Sequence, residues 1–328
     1  MARRIRTHAA RWIVGVALTL FFSGTHIGSF PASSSLGAAM AQTSTQPVPR
    51  FDVSCVMRHI TVLSSTIGVR VMGSTGERRA AEYVRTQLSR MGYAVTVQEF
   101  PTPRGESVNV IAEKKGQQRT WVVLGAHLDT KAGSPGADDN ASGVAVLLEL
   151  ARIFARSEPR EGIRFIFFGA EEMSDSNPDH HHYGSRYYVR ALSQNERKLI
   201  SEMICVDMVG VGRRLHVRSM KYDAVDRAFL RLARSLKMTC TFRKDRSRYG
   251  SSDHEPFEKA GIPSAWIQRR TNSRYHTPRD TAGTIRRSRV ATVGKLLRSY
   301  LIEHLDLALQ SLCDEAAACT RHPLHFRG

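Results

Sequence analysis

Two hydrophobic rhythms alternate along the middle of this chain. Short continuous apolar runs, Trp121-Val122-Val123-Leu124, Phe165-Ile166-Phe167-Phe168, Ile204-Cys205-Val206 and Ala265-Trp266-Ile267, read as buried strands. Between them apolar residues fall three or four apart. Ala81, Val84, Leu88 and Met91 do so over 75–91, and Gly92 supplies the stop. Further helices are expected over 142–156, 184–192, 222–236, 253–260 and 290–312, with a helix and turn over 51–72. Shorter strands are expected at 94–97 and 108–111, joined by a Pro/Gly turn over 101–105, and at 215–217. Strands alternating with helices at this spacing predict an α/β fold. It is expected to be a three-layer sandwich, with a largely parallel mixed sheet and helices on both faces. No internal repeat and no second domain breaks the pattern.

The first residues do not share it. Arg3, Arg4, Arg6 and Arg11 precede an apolar run from Trp12 to Phe22, shorter than the ~20 residues a spanning helix needs. Small residues follow, and Ala39-Met40-Ala41 before Gln42 fits a leader cleavage site. Residues 1–41 are therefore expected to be a signal peptide, with an uncleaved anchor as the alternative. Residues 42–50 read as a polar linker, 51–312 as the folded domain and 313–328 as a tail. A secreted or periplasmic protein is expected, with no stable membrane insertion once the leader is removed.

The 328 residues carry a formal charge of +18, with basic runs at 243–248 and 269–289. No aromatic-interleaved basic stripe or nucleic-acid module accompanies that charge, so no nucleic-acid partner is expected. Five cysteines, Cys55, Cys205, Cys240, Cys313 and Cys319, lack the C-x-x-C spacing of a zinc or redox motif. Cys205 reads as a buried small hydrophobe, and Cys313 could pair with Cys319 in an oxidising compartment.

The chemistry gathers where the strands end. The run into His127 continues as Leu128-Asp129-Thr130, and after a Gly/Pro loop Asp139 stands where a helix begins. The run into Phe168 continues as Gly169-Ala170-Glu171-Glu172. Asp207 closes another strand, and His276 lies in the loop after the last one. In an open α/β sheet, ligands bind at the carboxyl ends of the strands. Each of these residues alone reads as a helix start, a turn former or a surface histidine. Together they bring acidic groups to one edge, where they repel unless cations hold them. Two imidazoles with three carboxylates suit zinc, with cobalt or manganese as alternatives.

These segments also carry a resemblance. G-A-H-L-D-T, G-A-D-D-N-A-S-G, F-G-A-E-E, V-D-M-V-G, S-D-H-E-P-F and Y-H-T-P-R-D-T occur in that order over roughly 55–312. They resemble the co-catalytic zinc aminopeptidases typified by secreted bacterial leucyl aminopeptidases. Glutamate carboxypeptidase, the transferrin receptor ectodomain and animal-type glutaminyl cyclases are similar relatives. The resemblance implies two zinc ions per chain, one held by His127 and Asp207, the other by Glu172 and His276, with Asp139 bridging. It implies that Glu171 is the general base, that Asp129 orients His127, and that the Tyr275 phenol steadies an oxyanion. Asp253, His254 and Asp280 are implied to support the site without touching metal.

One stretch departs from the family. Met173 to His182 is inserted between the Glu pair and the Gly184-Ser185 helix start. It reads as a polar surface loop at the cleft rim, or as a loop shaping the substrate pocket or capturing metal. The expected function is a metallo-exopeptidase, a hydrolase acting on peptides with a free N-terminus. The alternatives are a glutaminyl cyclase using one zinc and a non-catalytic receptor-like module. Tyr275-His276-Thr277-Pro278 fits the peptidases better than the Trp-His of the cyclases, and no ligand is missing as in the receptor. The sequence carries no signal for an oligomeric state or a preferred N-terminal residue.

Overall fold

Central strands buried on both faces lose their polar alternation, and β3 (Trp121–His127) shows this with only its first residue part-exposed. The computed structural model describes residues 48–305 except 173–176, 178–179 and 248–250. Its other strands are β1 (Val95–Thr102), β2 (Gly105–Lys114), β4 (Gly162–Phe168), β5 (Ile200–Val206), β6 (Arg214–Ser219), β7 (Cys240–Lys244) and β8 (Ser264–Arg270). They form one sheet in the order β1-β2-β4-β3-β5-β8-β6-β7. Strands β4, β3, β5 and β8 run parallel, so their carboxyl ends share one edge. The outer strands β2 and β6 run antiparallel to β4 and β8, which makes the sheet mixed.

The helices are α1 (Val53–Thr61), α2 (Thr75–Arg90), α3 (Ser142–Phe154), α4 (Tyr183–Ala191), α5 (Gln194–Lys198), α6 (Ala224–Ser235), α7 (His254–Lys259) and α8 (Arg287–His304). Alternate residues of β3 serve two cores. Val122, Leu124 and Ala126 pack with Val56, Val84, Leu147, Phe229 and Leu297 from α1, α2, α3, α6 and α8. Val123 packs on the other face with Tyr188 of α4 and Phe257 of α7. Three layers result, as expected.

The differences from expectation are local. β1 and β2 extend toward each other until only residues 103–104 separate them. β7 was not expected, because its sequence ends in the basic pair Arg243-Lys244. It survives as an edge strand paired to β6 alone, where solvent takes its charged side chains. The short α5 was also missed; a capping box between Ser193 and Glu196 fixes it. Residues 1–47, the stretch beyond 305, the Cys313–Cys319 pairing and most of the insertion lie outside the described residues. Among the described residues no helix is long and apolar enough to cross a membrane.

Candidate metal centre

His127 is the last residue of β3, and the loop after it is fastened by a buried cation. Arg70 donates from Nε to the carbonyl of Leu128, and from its terminal nitrogens to Leu63, Gly68, Pro135 and Gly136, all at 2.7–3.0 Å. A π-helical turn, Ala137–Ala141, then leads into α3, with Asp139 leaving helical geometry at φ −111° and ψ 89°. The Asp280 carboxylate accepts the backbone N–H of Asp138 and of Asp139, at 3.0 and 3.1 Å. Thus held, Asp139 divides its oxygens. Oδ1 lies 3.2 Å from His127 Nε2, and Oδ2 lies 3.1 Å from His276 Nε2.

Two groups of potential ligands meet through this carboxylate. Asp207, just beyond β5, places Oδ1 3.5 Å from His127 Nε2, and Glu172 places Oε2 3.1 Å from His276 Nε2. Ligand atoms of His127, Glu171 and Asp207 lie within 4.8 Å of one another, as do those of Asp139, Glu172 and His276. Asp129 organises both groups. Its carboxylate accepts the backbone N–H of Glu171 at 2.9 Å and of Glu172 at 3.0 Å. His127 Nδ1 lies 3.2 Å from the Asp129 carbonyl and 3.6 Å from its Oδ1.

The electrostatics fit a cation. Burial pushes Glu172 up to about 8, with Asp139 adding repulsion, and burial raises Asp207 as well. Burial opposes ionisation of Asp139 too, but His127 and His276 hold it below the usual carboxylate range. Burial works against the charge on His276, yet Asp139 and Glu172 outweigh it and raise that imidazole to about 10. Oδ1 of Asp207 and Oε1 of Glu172 are buried with no hydrogen-bond partner, one orphan in each group. A buried oxygen without a donor calls for an explanation, and a divalent metal such as zinc supplies one for this mixed N/O donor set.

The family model for peptidase family M28 matches residues 109–301. The chain belongs to peptidase family M28. It is 34% identical over 211 residues to aminopeptidase YwaD of Bacillus subtilis, covering 60% of this chain and 44% of that protein. The chain spans about half the length of the curated relatives it matches. Its fold is that of a zinc aminopeptidase from Bacillus subtilis, with TM-score 0.72, 21% identity, and coverage of 79% of this chain and 96% of the other. It is also similar to a Porphyromonas gingivalis glutaminyl cyclase, with TM-score 0.69, 25% identity, and coverage of 77% and 99%.

Other candidates of this M28 chain are placed as follows. Tyr275 is 45% exposed and packs its ring 4.2 Å from that of His276. Buried Asp253 accepts from Ser185 Oγ. Burial, reinforced by Glu171, raises it to about 7. His254 instead stacks on Trp266 and faces Asp245 at 3.3 Å, reaching the site only through the indole, whose N–H lies 3.4 Å from the Asp207 carbonyl.

Sequence reasoning missed four supports. Arg70 is one, and no motif marks it. Buried Glu77 is another, accepting Ala170 N–H at 2.9 Å and so fixing the backbone before the Glu pair. Ser252, part of the S-D-H-E-P-F motif but given no role, bonds Asp207. His182 ends the stretch read as a surface loop or as one shaping the pocket or capturing metal; it is buried, with Nε2 3.0 Å from Glu171 Oε1.

Proposed function

We propose that this chain is a zinc-dependent aminopeptidase that removes N-terminal residues from peptides, with Glu171 as general base. The observation that carries the reading is Asp139 sharing its two oxygens between His127 and His276. That geometry suits a carboxylate that would offer one oxygen to each of two zinc-binding sets. His127 and Asp207 would complete one set, and Glu172 and His276 the other. Zinc held by these residues would supply Lewis-acid chemistry, polarising the scissile carbonyl and acidifying the attacking water.

Glu171 does the proton work. Burial opposes its charge, but His127 and His182 hold it below the usual carboxylate range, so it stands ionised. It takes the proton of the attacking water and passes it to the leaving amine. Glu171 also lies close to His127 and Asp207. Its assignment as base follows the family resemblance, which gives those two the metal. The half-exposed Tyr275 phenol is available to the carbonyl oxygen as negative charge builds there. The same carboxylates give a free α-amine its counter-charge, which an acetylated terminus cannot use. Export through the 1–41 leader belongs to this reading, and a mature N-terminus near Gln42 would support it.

Zinc content per chain, measured beside a panel of aminoacyl-nitroanilides and their N-acetyl derivatives, tests the reading. Expected are two zinc ions and cleavage of free-amine substrates only. The similar glutaminyl cyclase motivates a second reading. Conversion of an N-terminal Gln peptide to pyroglutamate, without peptide cleavage, would select it.

A further inference from the structure

The described end of the insertion between the Glu pair and α4 lies against that pair. Backbone N–H groups of His182, Tyr183 and Gly184 donate to the carbonyls of Glu171, Ala170 and Gly169 at 2.8, 2.9 and 3.1 Å. His182 takes the left-handed conformation, φ 53°, where non-glycine residues are uncommon. That turn directs its ring inward. Nε2 lies 3.0 Å from Glu171 Oε1, and Nδ1 lies 3.5 Å from Oε2 of Glu255 on α7.

The ring is held on every side that matters. His181 packs against it with centroids 3.8 Å apart, and His181 is itself fixed by Arg186 at 3.0 Å. Glu255 is anchored by Lys259 and lies 3.7 Å from Arg186 Nε. An imidazole locked between two carboxylates, and itself 2% exposed, has little freedom to leave Glu171. A carboxylate on two or more rotatable bonds otherwise samples several rotamers, and a misplacement near 1 Å can cost about 10²-fold in rate.

We propose that His182 is a positioning residue for Glu171, by which the insertion holds the base in its working orientation. The inference rests on the reading of Glu171 as base. It assigns the described end of Met173–His182 to the catalytic apparatus, and not to the surface or to metal capture.

The test uses the zinc-loaded protein and the variants His182→Leu, His182→Gln, Glu171→Gln and the double variant Glu171→Gln with His182→Leu. His182→Leu is expected to keep its zinc content and KM while kcat falls about 10–100-fold. His182→Gln, which retains a donor, recovers much of that loss. In the Glu171→Gln background the His182→Leu change has no further effect, because the residue acts through the base. A loss of the same factor in both backgrounds overturns the inference, as does wild-type kcat in His182→Leu. Near-wild-type activity in Glu171→Gln instead overturns the base assignment beneath it.

A readout without turnover is available in the metal-free protein. The His182 Nε2–H should give a slowly exchanging imidazole proton resonance that vanishes in Glu171→Ala. Should His182→Leu fail to fold, this resonance and His182→Gln decide the matter: persistence of the resonance in Glu171→Ala counts against the contact.

Discussion

Ser252 donates its hydroxyl to Oδ2 of Asp207 at 2.9 Å, leaving Oδ1 of that carboxylate buried and without any donor. The hydroxyl sets which oxygen faces His127. Partners behind a ligand typically matter about 10–100-fold in metal affinity. Ser252→Ala should therefore lower zinc affinity in that range with the fold intact, as read by competition with a chelator. Unchanged affinity would show that the hydroxyl does not orient Asp207.

The adjacent glutamates should separate cleanly. Glu172→Gln removes a proposed ligand from the Asp139–His276 group, so zinc content should fall. Glu171→Gln keeps the shape and the proposed ligands but lacks the proposed base, and general-base loss typically lowers kcat by roughly 10²–10⁴-fold. Zinc loss in Glu171→Gln with retention in Glu172→Gln would reverse the two roles.

How much of this was legible beforehand depends on where each contact originates. His127, Glu171, Glu172 and Asp207 each follow an apolar run, and parallel strands must deliver such residues to one edge. Asp139 and His276 were placed at a helix start and in the loop after the last strand, but their contact is made by loops whose path no periodicity encodes. Asp129 was expected to orient His127; that it also clamps both glutamates through their backbone is a three-dimensional fact. β7 was invisible because an edge strand can be basic and exposed. Arg70 and His182 were given no role for one reason. Polar side chains are buried when the fold surrounds them with partners, and the partners are remote in sequence.

Arg70 yields a stability prediction. Its guanidinium satisfies five carbonyls beneath the carboxylate cluster, and Asp129, Asp280 and Asp139 offset the burial that lowers its pKa to about 10. Arg70→Met fills similar volume with no donors. Each buried acceptor left unpaired costs about 1–3 kcal/mol, so a loss of roughly 3–5 kcal/mol is expected after relaxation. Arg70→Lys should rescue little, since one ammonium cannot reproduce the planar fork. Chemical denaturation of the metal-free protein measures both, and a loss under about 1 kcal/mol for Arg70→Met would contradict the clamp.

The last prediction concerns a proton on His276. In the metal-free protein that imidazole is raised from 6.5 to about 10, with burial opposing and Asp139 and Glu172 prevailing. A group whose folded pKa is raised stabilises the fold fully below its unfolded value. This contribution is present below 6.5 and is lost as pH climbs through about 10. The same proton sits on Nε2, the atom proposed to bind zinc, so binding must release it. Apparent zinc affinity should therefore rise with pH up to about 10. His276→Ala should weaken that slope and remove its share of the metal-free stability change. Titration calorimetry in buffers of differing ionisation enthalpy counts the protons released. Zinc binding at neutral pH with no proton release would mean that Nε2 is already unprotonated, and would remove the site's proposed pH dependence.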